Sequence, residues 1–128
     1  PQIQVKAANE RPRGLRELDD LDAVFGALAH AARRHIVQVL SARGGTMTAG
    51  ELAARFSHSW PTTTRHLGVL VGAGLLRVRR EGRERRYVLD RERLGATLRL
   101  WLESVGFTVA EQPRPTSVRD APDTAILT

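Results

Sequence analysis

Between Ser59 and Leu76 the chain reads SWPTTTRHLGVLVGAGLL, and its hydrogen-bonding side chains fall at helical spacing. Thr62, Thr64, Arg65 and Gly68 share one side; Leu67, Leu70 and Val71 make an apolar stripe on the other. Small hydroxyls and one guanidinium, with no bulky side chain beside them, give a slim polar surface that a DNA major groove admits. There an Arg can pair bidentately with a guanine edge. An amphipathic helix with a plain solvent-facing side has the same pattern, so the flanking segments must decide between the two. Ser59 is a good N-cap, Pro61 falls in the first turn where its missing N–H costs nothing, and Gly74 supplies a left-handed stop.

Other chemistry is poorly provided for. The chain has no Cys, which removes disulfides, thiolate metal sites and cysteine redox sensing together. His30 and His35 are five apart, about 140° around a helix, so they do not clamp one metal ion on a helix face. His58 belongs to a turn. His66 lies inside the candidate reading helix, either half-buried and hydrogen-bonded or contacting a base. Ser57, His58 and Ser59 adjoin, but a nucleophile needs its base across a cleft with a third group orienting it, and nothing completes such a site. No phosphate-binding Gly loop occurs. No enzyme and no cofactor are expected.

Charge points elsewhere. The 128 residues carry a formal net charge of +6, and of 20 basic residues only Lys6 is Lys. Residues 77–86 concentrate six Arg against two Glu. On a hairpin beside a reading helix such a cluster is a candidate nucleic-acid patch rather than a solvated face. No run of about 18 apolar residues exists to span a membrane, and the N-terminus lacks a signal-peptide pattern, so a cytoplasmic protein is expected.

The elements that must position these groups follow in order. Residues 1–18 form a flexible arm, after which Asp19 or Asp20 caps a helix over 21–29. A second helix covers 33–42 and ends at Gly44-Gly45. Thr48-Ala49-Gly50-Glu51 is a capping box opening a short third helix, whose buried side is Leu52, Ala53 and Phe56. Only Ser57-His58 separates it from the Ser59 cap, which reads as helix-turn-helix with the second helix, 59–73, as reader. Residues 76–89 then read as a β-hairpin. A two-residue Glu81-Gly82 turn would set Arg80 opposite Arg83 and Val78 opposite Arg85; a longer turn or bulge stays open. Asp90 caps a last helix to about 105, and 106–128 form a loose tail around a single domain, 19–105.

This order resembles the winged helix-turn-helix of the ArsR/SmtB repressor family. FGALAHAARRHIVQVL (25–40) is similar to the family's opening helices, TAGELAARF (48–56) to its support helix, and PTTTRHLGVLVGAGLLRVRREGRERRYVL (61–89) to its reader and wing. Arg33-Arg34 followed by Ile36 most resembles the SdpR-type autorepressor branch. The fold implied is mainly α with a β-hairpin (α+β), about five helices plus a two-stranded wing.

The resemblance further implies a homodimeric repressor of transcription on an inverted-repeat operator. Ser59, Trp60, Pro61, Thr62, Thr64, Arg65 and His66 would lie in the major groove. Arg79, Arg83 and Arg85 of the wing would lie on the backbone or minor groove. The dimer contact would come from Leu21, Val24, Phe25 and Leu28 of the first helix with Leu94, Leu98, Trp101, Leu102 and Val105 of the last. Two-fold symmetry would set half-sites about one helical turn, ~10 bp, apart.

Two departures stand out. The family's Cys pair is absent from ELAARF, and its Asp/His site on the last helix keeps Asp90 but no His, so no metal site carries over. Trp60 replaces the usual small polar residue after the cap and either alters base preference or packs. The alternatives are a winged-helix protein-interaction module and a repressor released by a small-molecule effector that the sequence does not name.

Overall fold

A computed structural model describes residues 13–57 and 59–110. Helix α1 (Arg13–Leu28) leads by a tight corner into α2 (Ala31–Ala42). Strand β1 (Thr46–Thr48), α3 (Ala49–Arg55) and α4 (Trp60–Gly72) follow. A hairpin, β2 (Leu76–Glu81) and β3 (Glu84–Leu89), precedes α5 (Arg91–Ser104).

Helix α1 starts well before the expected cap, so Asp19 and Asp20 lie inside it and residues 13–18 are helical rather than part of an arm. Leu18, Leu21, Phe25 and Leu28 recur at spacings of three and four, and no proline interrupts the sequence between Pro12 and Pro61, so the helical stripe runs back past the acidic pair. Residues 1–12 of the expected arm and 111–128 of the expected tail lie outside the described residues.

The α1–α2 corner explains the paired arginines. Arg33 donates to the carbonyls of Ala27 (2.7 Å) and Gly26 (3.1 Å), and Arg34 donates to that of Leu28 (2.7 Å). Three carbonyls at the end of α1 are thereby satisfied by cations at the negative end of its dipole. Helix α2 begins earlier than expected because His30 caps it, its Nδ1 accepting from the Ala32 N–H at 3.2 Å.

The sheet has three strands in the order β1-β3-β2, one more than the expected two-stranded wing. Strand β1 sets Met47 opposite Tyr87, both buried. Three residues squeezed between Gly45 and a helix cap are too few to show a periodicity. The Thr48 capping box forms as expected: Thr48 Oγ1 accepts from the Glu51 N–H, and Glu51 accepts from the Thr48 N–H, both at 3.1 Å. Leu52 and half-buried Phe56 supply the inner side of α3 at i, i+4, whereas Ala53, one position round, is exposed.

The Thr48 N–H donated to its carboxylate, and after it the Thr48 hydroxyl, hold the Glu51 carboxyl below its ordinary value. A depressed folded-state pKa gives stability that is present above the unfolded value and lost as pH falls through the folded one. The Glu51 contribution therefore fades on acidification below the ordinary glutamate range. Thr48→Ala should remove the cap and cost about 1 kcal/mol in urea denaturation at neutral pH. Only the hydroxyl's share of the Glu51 acid sensitivity should go with it, because alanine keeps the backbone N–H that donates to the carboxylate.

One core joins the elements: Val24 of α1, Ile36 and Leu40 of α2, Leu52 of α3, Leu67 and Leu70 of α4, and Leu76, Tyr87 and Leu89 of the hairpin. Helix α5 contributes no fully buried residue and lies along α1, joined by an Arg93–Asp20 ion pair at 3.2 Å.

Candidate nucleic-acid interface

Helix α4 is built as its sequence dictates. Ser59 caps it, its Oγ accepting from the Thr62 N–H (3.4 Å) and donating to Thr62 Oγ1 (2.9 Å), with Trp60 and Pro61 in the first turn. At the other end Gly74 adopts φ +78° while Leu75 N–H bonds to the Leu70 carbonyl at 3.0 Å and Gly74 N–H to that of Val71 at 2.9 Å. This is a Schellman stop, and only glycine suits it: φ is positive, and a Cβ here would collide with the Arg93 side chain.

The inner face of α4 is Thr63, His66, Leu67 and Leu70. Its outer face is Pro61, Arg65, Gly68 and Val69, all exposed. Arg65 is thus the one long donor on the outer face, flanked at −4 and +3 by Pro61 and Gly68.

Several expected contacts sit differently. His66 turns inward, 9% exposed, its ring 4.6 Å from that of His30 and its Nδ1 3.4 Å from Arg33 Nη1. A guanidinium only donates, so this nitrogen accepts. His66 therefore orients the helix against the α1–α2 corner, and its place among groove contacts is corrected. Thr64 is half-buried, and its hydroxyl oxygen is covered with no hydrogen-bond partner, so the expected polar face loses that hydroxyl. Thr62 is half-buried with its hydroxyl engaged by Ser59. Trp60 packs against the core. Val69, 40% exposed, was hidden from sequence reasoning because a valine beside Leu70 reads as core.

Of the other histidines, His35 is exposed with its ring edge-on to Phe56 at 5.2 Å, and His58 lies outside the described residues. Among the described residues no group of three or more His, Asp or Glu could hold a metal ion. None of the described helices is long and apolar enough to cross a membrane.

The hairpin turn lies one residue beyond the expected Glu81-Gly82 turn, which moves each cross-strand partner by two. The turn is Gly82-Arg83, with Glu81 opposite Glu84, Arg80 opposite Arg85, Arg79 opposite Arg86 and Val78 opposite Tyr87. Gly82 has φ +62° and Arg83 has no positive φ, as a type II′ hairpin turn requires. This register sets the aromatic ring against a valine, the better cross-strand pair. On the face away from the core, Glu81 takes Arg86 at 3.1 Å and Arg79 at 3.7 Å, and Arg86 also donates to Thr46 Oγ1 at 3.3 Å. Arg80, Arg83 and Arg85 are exposed and have no ion pair among the described residues.

A second surface lies along α1 and α5. The Phe25 and Trp101 rings meet edge-on at 5.4 Å, yet Phe25 remains 37% and Trp101 40% exposed. Leu18 and Leu100 are more exposed still, and with Leu21 and Trp101 they line a groove between the two helices. Leu21, Leu28, Leu94, Leu98 and Leu102 are half-buried, and Val105 is exposed. Val24 is fully buried in its own core, which removes it from this surface. It follows Leu21 by three, but so does the true outer residue by four, and spacing alone does not choose between them.

Residues 28–79 match a family model described as a helix-turn-helix domain. The transcriptional repressor SdpR of Bacillus subtilis (strain 168) is 36% identical over 70 residues, covering 55% of this chain and 76% of that protein. An ArsR-like transcriptional regulator from Rhodococcus sp. RHA1 superposes with a TM-score of 0.61 at 33% identity, covering 70% of this chain and 81% of that one. The homodimeric winged helix-turn-helix DNA-binding domain of a possible ArsR-family regulator from Mycobacterium bovis shares the fold, with a TM-score of 0.58 at 21% identity. It covers 80% of this chain and 94% of that one.

Proposed function

This chain belongs to the ArsR family of winged helix-turn-helix transcriptional regulators, and from that premise we propose that it is a homodimeric repressor that reads an inverted-repeat operator in double-stranded DNA. Helix α4 enters the major groove, with Arg65 reading a base edge and Ser59, Pro61 and Thr62 fitting the helix start against the backbone. The wing follows phosphates or the minor groove with Arg83 and Arg85. The α1–α5 surface, with Phe25, Trp101, Leu102 and Val105, joins the two protomers so that their readers fall on successive half-sites.

The observation that carries this reading is the outer face of α4: one exposed guanidinium between residues too small to hold a backbone away, beside a hairpin whose exposed Arg80, Arg83 and Arg85 have no ion pair among the described residues. Large apolar side chains left exposed on α1 and α5 support the dimer, since a small monomer rarely leaves such a patch open. SdpR is itself named a repressor, and the Mycobacterium bovis domain is described as homodimeric.

Titration of the purified protein into labelled duplex from upstream of its own gene, and into a scrambled duplex, tests the reading. The upstream duplex should bind at least ~10³-fold more tightly, and both affinities should fall linearly with salt on logarithmic axes. Salt-independent or absent binding to both would favour a protein-interaction module instead.

A further inference from the structure

We infer that nucleic acid meets the wing on one face only, through Arg80 and Arg85 with Arg83 at the tip, and that Glu81 withdraws Arg79 and Arg86 from it. This rests on the DNA-binding reading above and specifies its second contact.

Side chains alternate across a strand, so the observed register sorts the six arginines of the hairpin by face. Leu76, Val78 and Arg80 of β2 share a face with Arg85, Tyr87 and Leu89 of β3. Leu76, Tyr87 and Leu89 belong to the core that also contains Leu67 and Leu70 of α4. Arg80 and Arg85 therefore continue that face outward past the core, on the side of the sheet where the reader lies. The other face carries Arg77, Arg79 and Glu81 with Glu84, Arg86 and Val88.

The faces differ electrically. On the outer face Arg79 and Arg86 stand opposite each other, and Glu81 bridges both, one oxygen to each. Glu84 stands opposite Glu81 and adds a second carboxylate. A phosphate approaching there meets two carboxylates within a Debye length of the cations, about 8 Å at physiological ionic strength. On the core-side face Arg80 stands directly opposite Arg85 with no acid among the described residues to relieve the pair. Like charges directly opposed destabilise a hairpin. An anion between them relieves that repulsion, and a phosphate is the anion a DNA backbone presents. The free energy of the exposed Glu81 pairs is itself small; their consequence is the cancelled field, not added stability.

Arg80 thus joins the contact set and Arg79 leaves it. The face sorting is the same for either two-residue turn; what was not legible in the sequence is that Glu81 engages Arg79 and Arg86 while Arg80 stands opposite Arg85.

The test is a salt titration of wild type, Arg80→Ala, Arg79→Ala and Glu81→Gln against operator and scrambled duplexes, with circular dichroism confirming the fold of each. Arg80→Ala should flatten the logarithmic salt slope by about one unit per protomer. Arg79→Ala should leave the slope at the wild-type value. Glu81→Gln should steepen it and tighten both duplexes by the same factor, since a freed guanidinium on the backbone carries no sequence information. If Arg79→Ala flattens the slope as much as Arg80→Ala, or Glu81→Gln leaves it unchanged, the one-faced wing is wrong while DNA binding stands. If wild type binds neither duplex, the DNA-binding reading fails and the wing assignment falls with it.

Discussion

Trp101→Glu is expected to lower operator affinity by two to four orders of magnitude while the chain stays folded. Trp101 is 40% exposed in the single chain and meets Phe25 edge-on, so a carboxylate there can reach water in a folded monomer. In the proposed dimer the same position is buried against a second copy, where an unpaired charge is costly. Loss of the dimer leaves each reader to bind its half-site alone, and linkage of two sites is worth about 10²–10⁴ in affinity. Sedimentation should show a monomer with native circular dichroism, and titration should show the affinity loss. A variant that stays dimeric and binds operator normally would place the interface elsewhere. Leu100→Glu, on the same groove, should behave alike, and this guards against a local packing effect of the indole.

Arg65→Ala is expected to reduce discrimination more than it reduces affinity for arbitrary DNA. With His66 turned inward, Trp60 packed and the Thr64 hydroxyl covered, Arg65 is the remaining long donor on the outer face of α4. A bidentate guanine contact is worth roughly 1–3 kcal/mol against the wrong base. The ratio of operator to scrambled affinity should therefore fall by about 5- to 150-fold per half-site. Removing a grip on phosphate would instead weaken both duplexes alike. Equal losses on both would make Arg65 a backbone anchor and remove the base-reading role from α4.

The parts of this molecule legible in its sequence are those fixed by local chemistry. The Thr48–Glu51 capping box, the Ser59 cap, the Gly74 stop and the Asp90 cap each need only a few adjacent residues, and each forms as its residues require. The order of helices and wing followed from such signals together with the resemblance. What stayed hidden depends on partners distant in sequence. Strand β1 exists because Met47 finds Tyr87 forty residues on. Arg33 and Arg34 cap α1 from the next helix, which no periodicity announces. The Gly82-Arg83 turn puts glycine where a type II′ turn needs positive φ and also sets Val78 against Tyr87, a pairing that settles a register the sequence left open. Within the candidate site, spacing and caps marked α4 as one helix. Which of its residues look outward was settled by docking on the α1–α2 corner, where His66 meets His30 and Arg33.

Hydroxyl-radical footprinting of the DNA upstream of its own gene tests the central claim most directly, because it reads binding, position and symmetry at once. A dimer with α4 in successive major grooves should protect two segments related by a two-fold axis, with centres about one helical turn, ~10 bp, apart. Flanking backbone protection should also appear where the wings lie, and Arg80→Ala should weaken it selectively. A single unsymmetrical footprint, or uniform cutting at saturating protein, would contradict the account.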